Sequence, residues 1–427
     1  MAELVPTLLA VGLGTAIVVV VASRYRDDET WWLIGSWFAH LAGAAAQFYL
    51  LANVYRGDAT AYWSRGLMLG DLVNWDAFHM LRIALALILQ QTGSLPYDLH
   101  GAGAPTGSMT GVAVLLMIFT GRLLYAPVVL LCIGACLGKI ALYRAFRDVF
   151  PRRQHFALLL CTLYVPTVLF WSSSLLKESV VMVALGPFVL ALQRVLDRQI
   201  RFLPLLVASA LLVGLLKPYI LLALILASGV LVYATRAVSK DGDLHIRPIW
   251  FAVAAAGVIA GLVLVGQQFP ELAGDDLLDS ITHEQATFRG RGGSAIQVLD
   301  PTKMGAAGQL LVAPLALFNA WFRPSLLDAH NLQALLNACE TTLLMVLGIR
   351  AAWLKPPREL FRIVTSRPLL MFSLTFAFTL GIGVGLTTSN LGSLSRYRMP
   401  LMPFLAALIV LTSSTDRATR TLMRDRG

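Results

Sequence analysis

Apolar runs separated by short polar, mostly basic segments make up almost the whole chain. LVPTLLAVGLGTAIVVVVAS at residues 4–23 and VVMVALGPFVLAL after Ser179 are continuously apolar, with no alternation of polar and apolar positions. Runs of roughly 17–25 such residues match the hydrocarbon thickness of a bilayer. Only helices or a closed barrel satisfy every backbone polar group there, and the lack of alternation excludes the barrel. The pattern predicts an all-α, polytopic transmembrane bundle of about 13 spans. They fall near residues 4–23, 32–53, 77–95, 107–120, 123–143, 156–171, 178–193, 202–217, 218–235, 248–267, 330–354, 368–388 and 399–414. Lys217-Pro218 separates two spans, or bends one kinked pair. No linker and no internal repeat divides the chain, so residues 1–427 read as a single integral membrane domain.

Basic segments mark the cytoplasmic side of such a bundle. RYRDDE (24–29), RAFRDVFPRR (144–153), QRVLDRQIR (193–201), TRAVSKDGDLHIR (235–247), KPPRELFRIVTSR (355–367) and DRATRTLMRDRG (416–427) place the N-terminus outside and the C-terminus in the cytoplasm. The first run has Glu3 before it and Arg24 and Arg26 after it, the reverse of a secretory signal, and reads as a retained span. Residues 268–329 form the one long outer loop. Its apolar half, GQLLVAPLALFNAWF, contains Pro314 and ends at Arg323-Pro324, so it is expected to be a re-entrant or interfacial helix. The expected location is a bacterial inner membrane, crossed many times.

Composition agrees with this picture. Of 427 residues, 57% are hydrophobic and 14% charged, against about 25% charged in a soluble domain. The net charge of +10 sits largely in inter-span loops, so topology accounts for it without nucleic acid. Cys132, Cys136, Cys161 and Cys339 all lie within apolar runs and read as small hydrophobes.

Polar residues that topology does not require gather on the outer side. Arg56, Asp58, Tyr62 and Arg65 lie in YRGDATAYWSR, Lys177 and Glu178 in FWSSSLLKES, and Lys217, Arg323, Arg396 and Arg398 follow. Basic residues outside oppose the charge bias. An anionic ligand such as phosphate or pyrophosphate explains them; headgroup contacts and local pairs such as Lys177 with Glu178 are the plainer explanation. In HNLQALLNACE, His330, Gln333, Asn337 and Glu340 share one helix face. They line a cavity or form a polar seam between helices. The three serines of FWSSSLLKES are expected to cap the following span. Glu178 suits the positive end of that helix, whereas Lys177 does not, which favours a binding role for Lys177.

Other motifs carry less. Ser174-Leu175-Leu176-Lys177 fits S-x-x-K, but S-D-N and K-T-G are absent. Asp241-Gly242-Asp243 reads as a solvated turn, and the glycine-rich Arg289–Ser294 segment as a loop without a P-loop lysine. No His/Cys cluster with metal-ligand spacing occurs.

GDATAY, after an early span, resembles the first-outer-loop Asp motif of GT-C-type glycosyltransferases, polytopic enzymes that use polyprenyl-phosphate-linked sugars. SRYRMPLMPF before the last span is similar to Arg- and Pro-containing segments near the C-terminus of GT-C enzymes and O-antigen-polymerase-like proteins. With FWSSSLLKE and FRP, the set looks like multispan proteins of bacterial polysaccharide loci. GDATAY carries one Asp rather than an acidic pair. The resemblance implies an enzyme acting at the periplasmic face on a polyprenyl-phosphate- or diphosphate-linked glycan. Asp58 would be its base, with Glu178 or Glu340 in reserve. Lys177, Arg396 and Arg398 would hold the phosphate, backed by Arg323 and Arg65. Tyr62, Trp63 and Trp171 would stack on sugar or anchor at the interface, with His330, Gln333 and Asn337 as the polar lining. A divalent metal is the one cofactor left open. The partners implied are the lipid-linked glycan, membrane lipid and a polysaccharide assembly or export system. A transporter or flippase for a lipid-linked or anionic solute uses the same charges in another way. A non-catalytic member of an export complex is a third reading.

Overall fold

The computed structural model describes residues 4–53, 57–93, 95, 99, 101–239, 242–269, 305–329, 331–388 and 390–413. Among them lie eighteen α-helices and no strand; one antiparallel bridge, Val238 to Leu244, closes the turn after α11. The helices are α1 (Leu4–Ala22), α2 (Asp27–Asn53), α3 (Asp58–Leu72), α4 (Ala77–Ile88), α5 (Pro105–Thr120), α6 (Tyr125–Arg147), α7 (His155–Leu163), α8 (Pro166–Trp171) and α9 (Lys177–Leu196). They continue as α10 (Leu203–Leu216), α11 (Pro218–Ala237), α12 (Pro248–Gln268), α13 (Gly305–Phe322), α14 (Leu332–Leu354), α15 (Pro357–Thr365), α16 (Pro368–Thr387), α17 (Leu391–Tyr397) and α18 (Met402–Ser413).

Seven of these are long and apolar enough to cross a membrane: α1, α6, α9, α11, α12, α14 and α16. The pair α17 and α18, bent by 46°, makes an eighth if taken as one span. Several segments that the hydropathy pattern drew as full spans are shorter here. Residues 77–95 hold the 12-residue α4, and 202–217 the 14-residue α10. Residues 156–171 divide into α7 and α8 at Tyr164-Val165. Pro166 causes that division: it has no N–H to donate and pushes Val165 into an extended conformation, φ −60°, ψ 117°. Within 268–329, α13 contains Pro314 in its interior and ends at Phe322. The Gly-rich Arg289–Ser294 segment lies outside the described residues.

The tightest packing is α6 on α9, with α1, α2 and α7 against α6 and α10 against α9; α7 and α16 in turn pack on α18. Small residues permit that approach. A Cβ on Gly186 would stand 1.8 Å from the Gly138 carbonyl oxygen, so the two backbones touch without intervening side chains. By contrast α1 and α12 lie at the periphery with apolar residues facing outward, as lipid-facing helices do.

Candidate functional site

Four distant segments meet at one end of the bundle around a cavity of about 270 Å³. Gln47 and Leu51 come from the end of α2, and Asp58 from the start of α3. Trp171, Ser174 and Leu176 come from α8 and the turn after it, Gln333 from the start of α14, and Asn390, Ser393 and Arg396 from the α17 region. Of the residues singled out in the sequence, Asp58, Trp171, Gln333 and Arg396 line this cavity together.

Local chemistry sets each of these. Gly57 is extended (φ −108°, ψ 177°) and starts α3, which puts Asp58 in the first turn, where a carboxylate suits the helix dipole. Asn390 caps α17 through Oδ1, which accepts from the backbone N–H groups of Gly392 (2.9 Å) and Ser393 (3.3 Å). Arg396 follows on that short helix. The serine turn differs from expectation. Leu176 is the N-cap of α9 and supplies no side-chain cap. The Ser172 and Ser173 hydroxyls instead donate backwards to the Val168 and Leu169 carbonyls, each at 2.6 Å, and close the end of α8. Ser173 also meets His40 Nδ1 at 2.9 Å.

Arg396 is the electrostatic centre. Its Nε donates to Glu178 Oε1 at 2.7 Å and its Nη2 to Glu178 Oε2 at 3.0 Å. This is a two-pronged pair of the kind guanidinium geometry favours. The third nitrogen, Nη1, donates to Asp58 Oδ2 at 2.6 Å. Lys217 Nζ donates to Glu178 Oε1 at 2.6 Å and stands 4.6 Å from the centre of the Tyr397 ring. Glu178 is fully buried and answered by two cations; the Asp58 side chain is 53% exposed. Lys177 is turned to Thr106, its Nζ donating to Oγ1 at 3.1 Å. Tyr62 is packed into the core one turn from Asp58; burial, with the Asp58 charge adding, holds its hydroxyl above the usual tyrosine range. Arg65 lies seven residues after Asp58 on the same side of α3.

The remaining predicted residues stand elsewhere. Arg323 pairs with Asp328, Nη2 to Oδ1 at 2.5 Å, and these hydrogen bonds hold the Asp328 carboxyl down at about 2. Arg398 is completely buried and donates to the backbone carbonyls of Ala320 (3.2 Å) and Arg323, at the end of α13. It thus ties a helix C-terminus in place and is directed away from the cavity. The polar face of α14 divides in two. Gln333 reaches the cavity, while Asn337 and Glu340 address α8: Thr167 Oγ1 donates to Asn337 Oδ1 at 2.9 Å, and Thr167 N–H donates to Glu340 Oε2 at 2.7 Å. His330 lies outside the described residues.

Each end of the α7–α8 break is met by a buried side chain. Buried Lys139, on α6, donates to the Leu163 carbonyl at 2.8 Å, at the C-terminal end of α7. Glu340 answers the N-terminal end of α8. A donor thus meets the carbonyl end of α7 and an acceptor the N–H end of α8.

The sequence reading passed over Gln47, counted Lys217 only among the outer basic residues, and gave Ser174 only as an expected cap and as the serine of an incomplete S-x-x-K match. Lys217 was signalled by its place before Pro218 between two apolar helices. Gln47 completes a buried polar stripe on α2, with Glu29, Ser36 and His40 at helical spacing. Ser174 stands third in the serine turn and opens the S-x-x-K match, but neither pattern points to a cavity wall. Among the described residues no group of three His, Cys, Asp or Glu side chains could hold a metal ion. No protein-family model matches this chain, and no curated protein or solved structure matches it significantly.

Proposed function

We propose that this protein is an inner-membrane glycosyltransferase or polysaccharide polymerase, GT-C-like, that acts at the periplasmic face on a polyprenyl-phosphate- or diphosphate-linked glycan. The proposal includes about 13 membrane segments, some short or broken, with the N-terminus outside and the C-terminus in the cytoplasm. The observation that carries it is the meeting of a half-exposed carboxylate, Asp58, and a guanidinium, Arg396, on the wall of one cavity that also holds Trp171, Ser174 and Gln333. Transfer from a lipid phosphate needs a base for the acceptor hydroxyl and fixed cations for the departing phosphate. In this reading Asp58 is the base and Arg396 the cation. Glu178 and Lys217 hold Arg396 in position, and Trp171 gives a sugar ring a face to stack on.

The break between α7 and α8 favours a second reading. Helices interrupted within the bilayer, with charges at the interruption, recur in transporters, so export or flipping of a lipid-linked solute is the alternative. Membranes from cells with and without the protein separate the two. Elongated or transferred glycan that depends on the protein, and is lost with Asp58→Ala at matched protein level, supports the transferase. Lipid-linked glycan that changes its side of the membrane but not its length supports the transporter.

A further inference from the structure

Asp58 and Glu178 both contact Arg396, on unequal terms. Glu178 occupies two of the guanidinium nitrogens, is fully buried, and is held from its other side by Lys217. Asp58 occupies the third nitrogen alone and is half-exposed, in the wall of the cavity. Separating a buried ion pair is costly, whereas an exposed pair is weakly held. The Glu178 contacts are therefore fixed and the Asp58 contact is exchangeable.

The same wall carries two hydrogen-bonding groups without a partner. Trp171 Nε1 and Ser174 Oγ belong to side chains only 8% and 1% exposed, and both residues line the cavity. Buried polar groups are normally satisfied, so this pair marks where a ligand's oxygen atoms would sit. Charge points the same way. Arg396 and Lys217 face the single buried acid Glu178, so the fixed part of the cluster carries one positive charge in excess, which Asp58 answers here and a ligand anion can answer in its place.

We infer that the Asp58–Arg396 contact is a displaceable latch: a phosphate-type anion takes the place of Asp58 on Arg396 Nη1, with Trp171 and Ser174 as further donors, and frees the Asp58 carboxylate in the cavity. No covalent bond changes in this exchange. It rests on the transferase reading for the nature of the anion, and it adds that the base is released only when the phosphate is seated.

Removing a competitor should tighten binding, which is the opposite of what loss of an ordinary ligand contact does. The test uses the full chain in non-ionic detergent and isothermal titration with inorganic phosphate and pyrophosphate. Asp58→Asn is expected to bind roughly two- to fivefold more tightly than wild type, the range an exposed ion pair gives. Arg396→Lys, which keeps a charge beside Glu178 but lacks the fork, is expected to bind more weakly than wild type. Polyprenyl monophosphate in the same micelles separates the sources: stronger binding than inorganic phosphate means a lipid-borne anion, and equal binding a free one. Equal or weaker anion binding by Asp58→Asn, or none by either protein, overturns the latch. The two readings fail separately. Tighter binding by Asp58→Asn without any glycan conversion in membranes leaves the latch and removes the transferase. Conversion that needs Asp58 without tighter binding leaves the transferase and removes the latch.

Discussion

Glu178, in the first turn of α9, and Glu340, inside α14 but facing the start of α8, are both buried carboxylates, yet they are satisfied in different ways. Glu178 is met by two cations, Arg396 and Lys217, and both of its oxygens are used. Glu340 accepts one backbone N–H, from Thr167, and its Oε1 has no partner; Arg398 acts on it only through its charge. An ion pair in low dielectric is strong but loses much of its worth when either partner goes. A carboxylate at a helix end offers a modest, mostly local gain. The first arrangement fixes a cation beside the cavity. The second sets the angle of α8, which carries Trp171 and the serine turn into the same cavity.

The comparison breaks most sharply at Glu178. Glu178→Ala leaves Arg396 and Lys217 buried without their acid and should lower stability by about 3–5 kcal/mol, read as loss of folded protein or a large drop in melting temperature in detergent. Glu340→Ala leaves the Thr167 N–H without its acceptor and should lose about 1–3 kcal/mol. Glu340→Gln keeps an oxygen for that bond and should recover most of the loss; recovery by Gln at 340 but not at 178 would sharpen the contrast. Asp58→Asn removes only an exposed pair and should change stability by about 0–1 kcal/mol.

The smallest effect concerns Asp328. Its folded carboxyl releases its proton more readily than the ordinary 3.8, at about 2. The stability it contributes is therefore fully present above the ordinary value and lost as pH falls from 3.8 towards 2. Asp328→Asn should melt slightly below wild type at neutral pH, and the gap should close over that acid window.

Much of this was legible in the chain. Continuous apolar runs announced the helices, and four residues singled out in the sequence line the cavity: Asp58 and Arg396 from the outer polar set, Gln333 from the polar helix face and Trp171 from the resemblance. What a sequence cannot give is the partner. Glu178 stood beside Lys177, but its cations come from positions 217 and 396, because Lys177 turns to Thr106. Arg396 and Arg398 are two residues apart on a short helical segment and so point in different directions: one to the cavity, the other to the carbonyls at the end of α13. The division of 156–171 was written in Val165-Pro166 but hidden by unbroken hydropathy, since a window average does not register a missing N–H.

The central claim is that the chemistry belongs to the cavity of Asp58 and Arg396, while Glu340 supports the helix that shapes it. The most direct measurement is conversion of extracted polyprenyl-linked oligosaccharide by membranes containing wild type, Asp58→Asn or Glu340→Gln at matched protein level, followed by gel and mass spectrometry. The account predicts that Asp58→Asn lowers the rate by about 10²–10⁴-fold, as loss of a general base does, while Glu340→Gln stays within a few-fold of wild type. Full activity of Asp58→Asn, or loss of activity with Glu340→Gln alone, would contradict it.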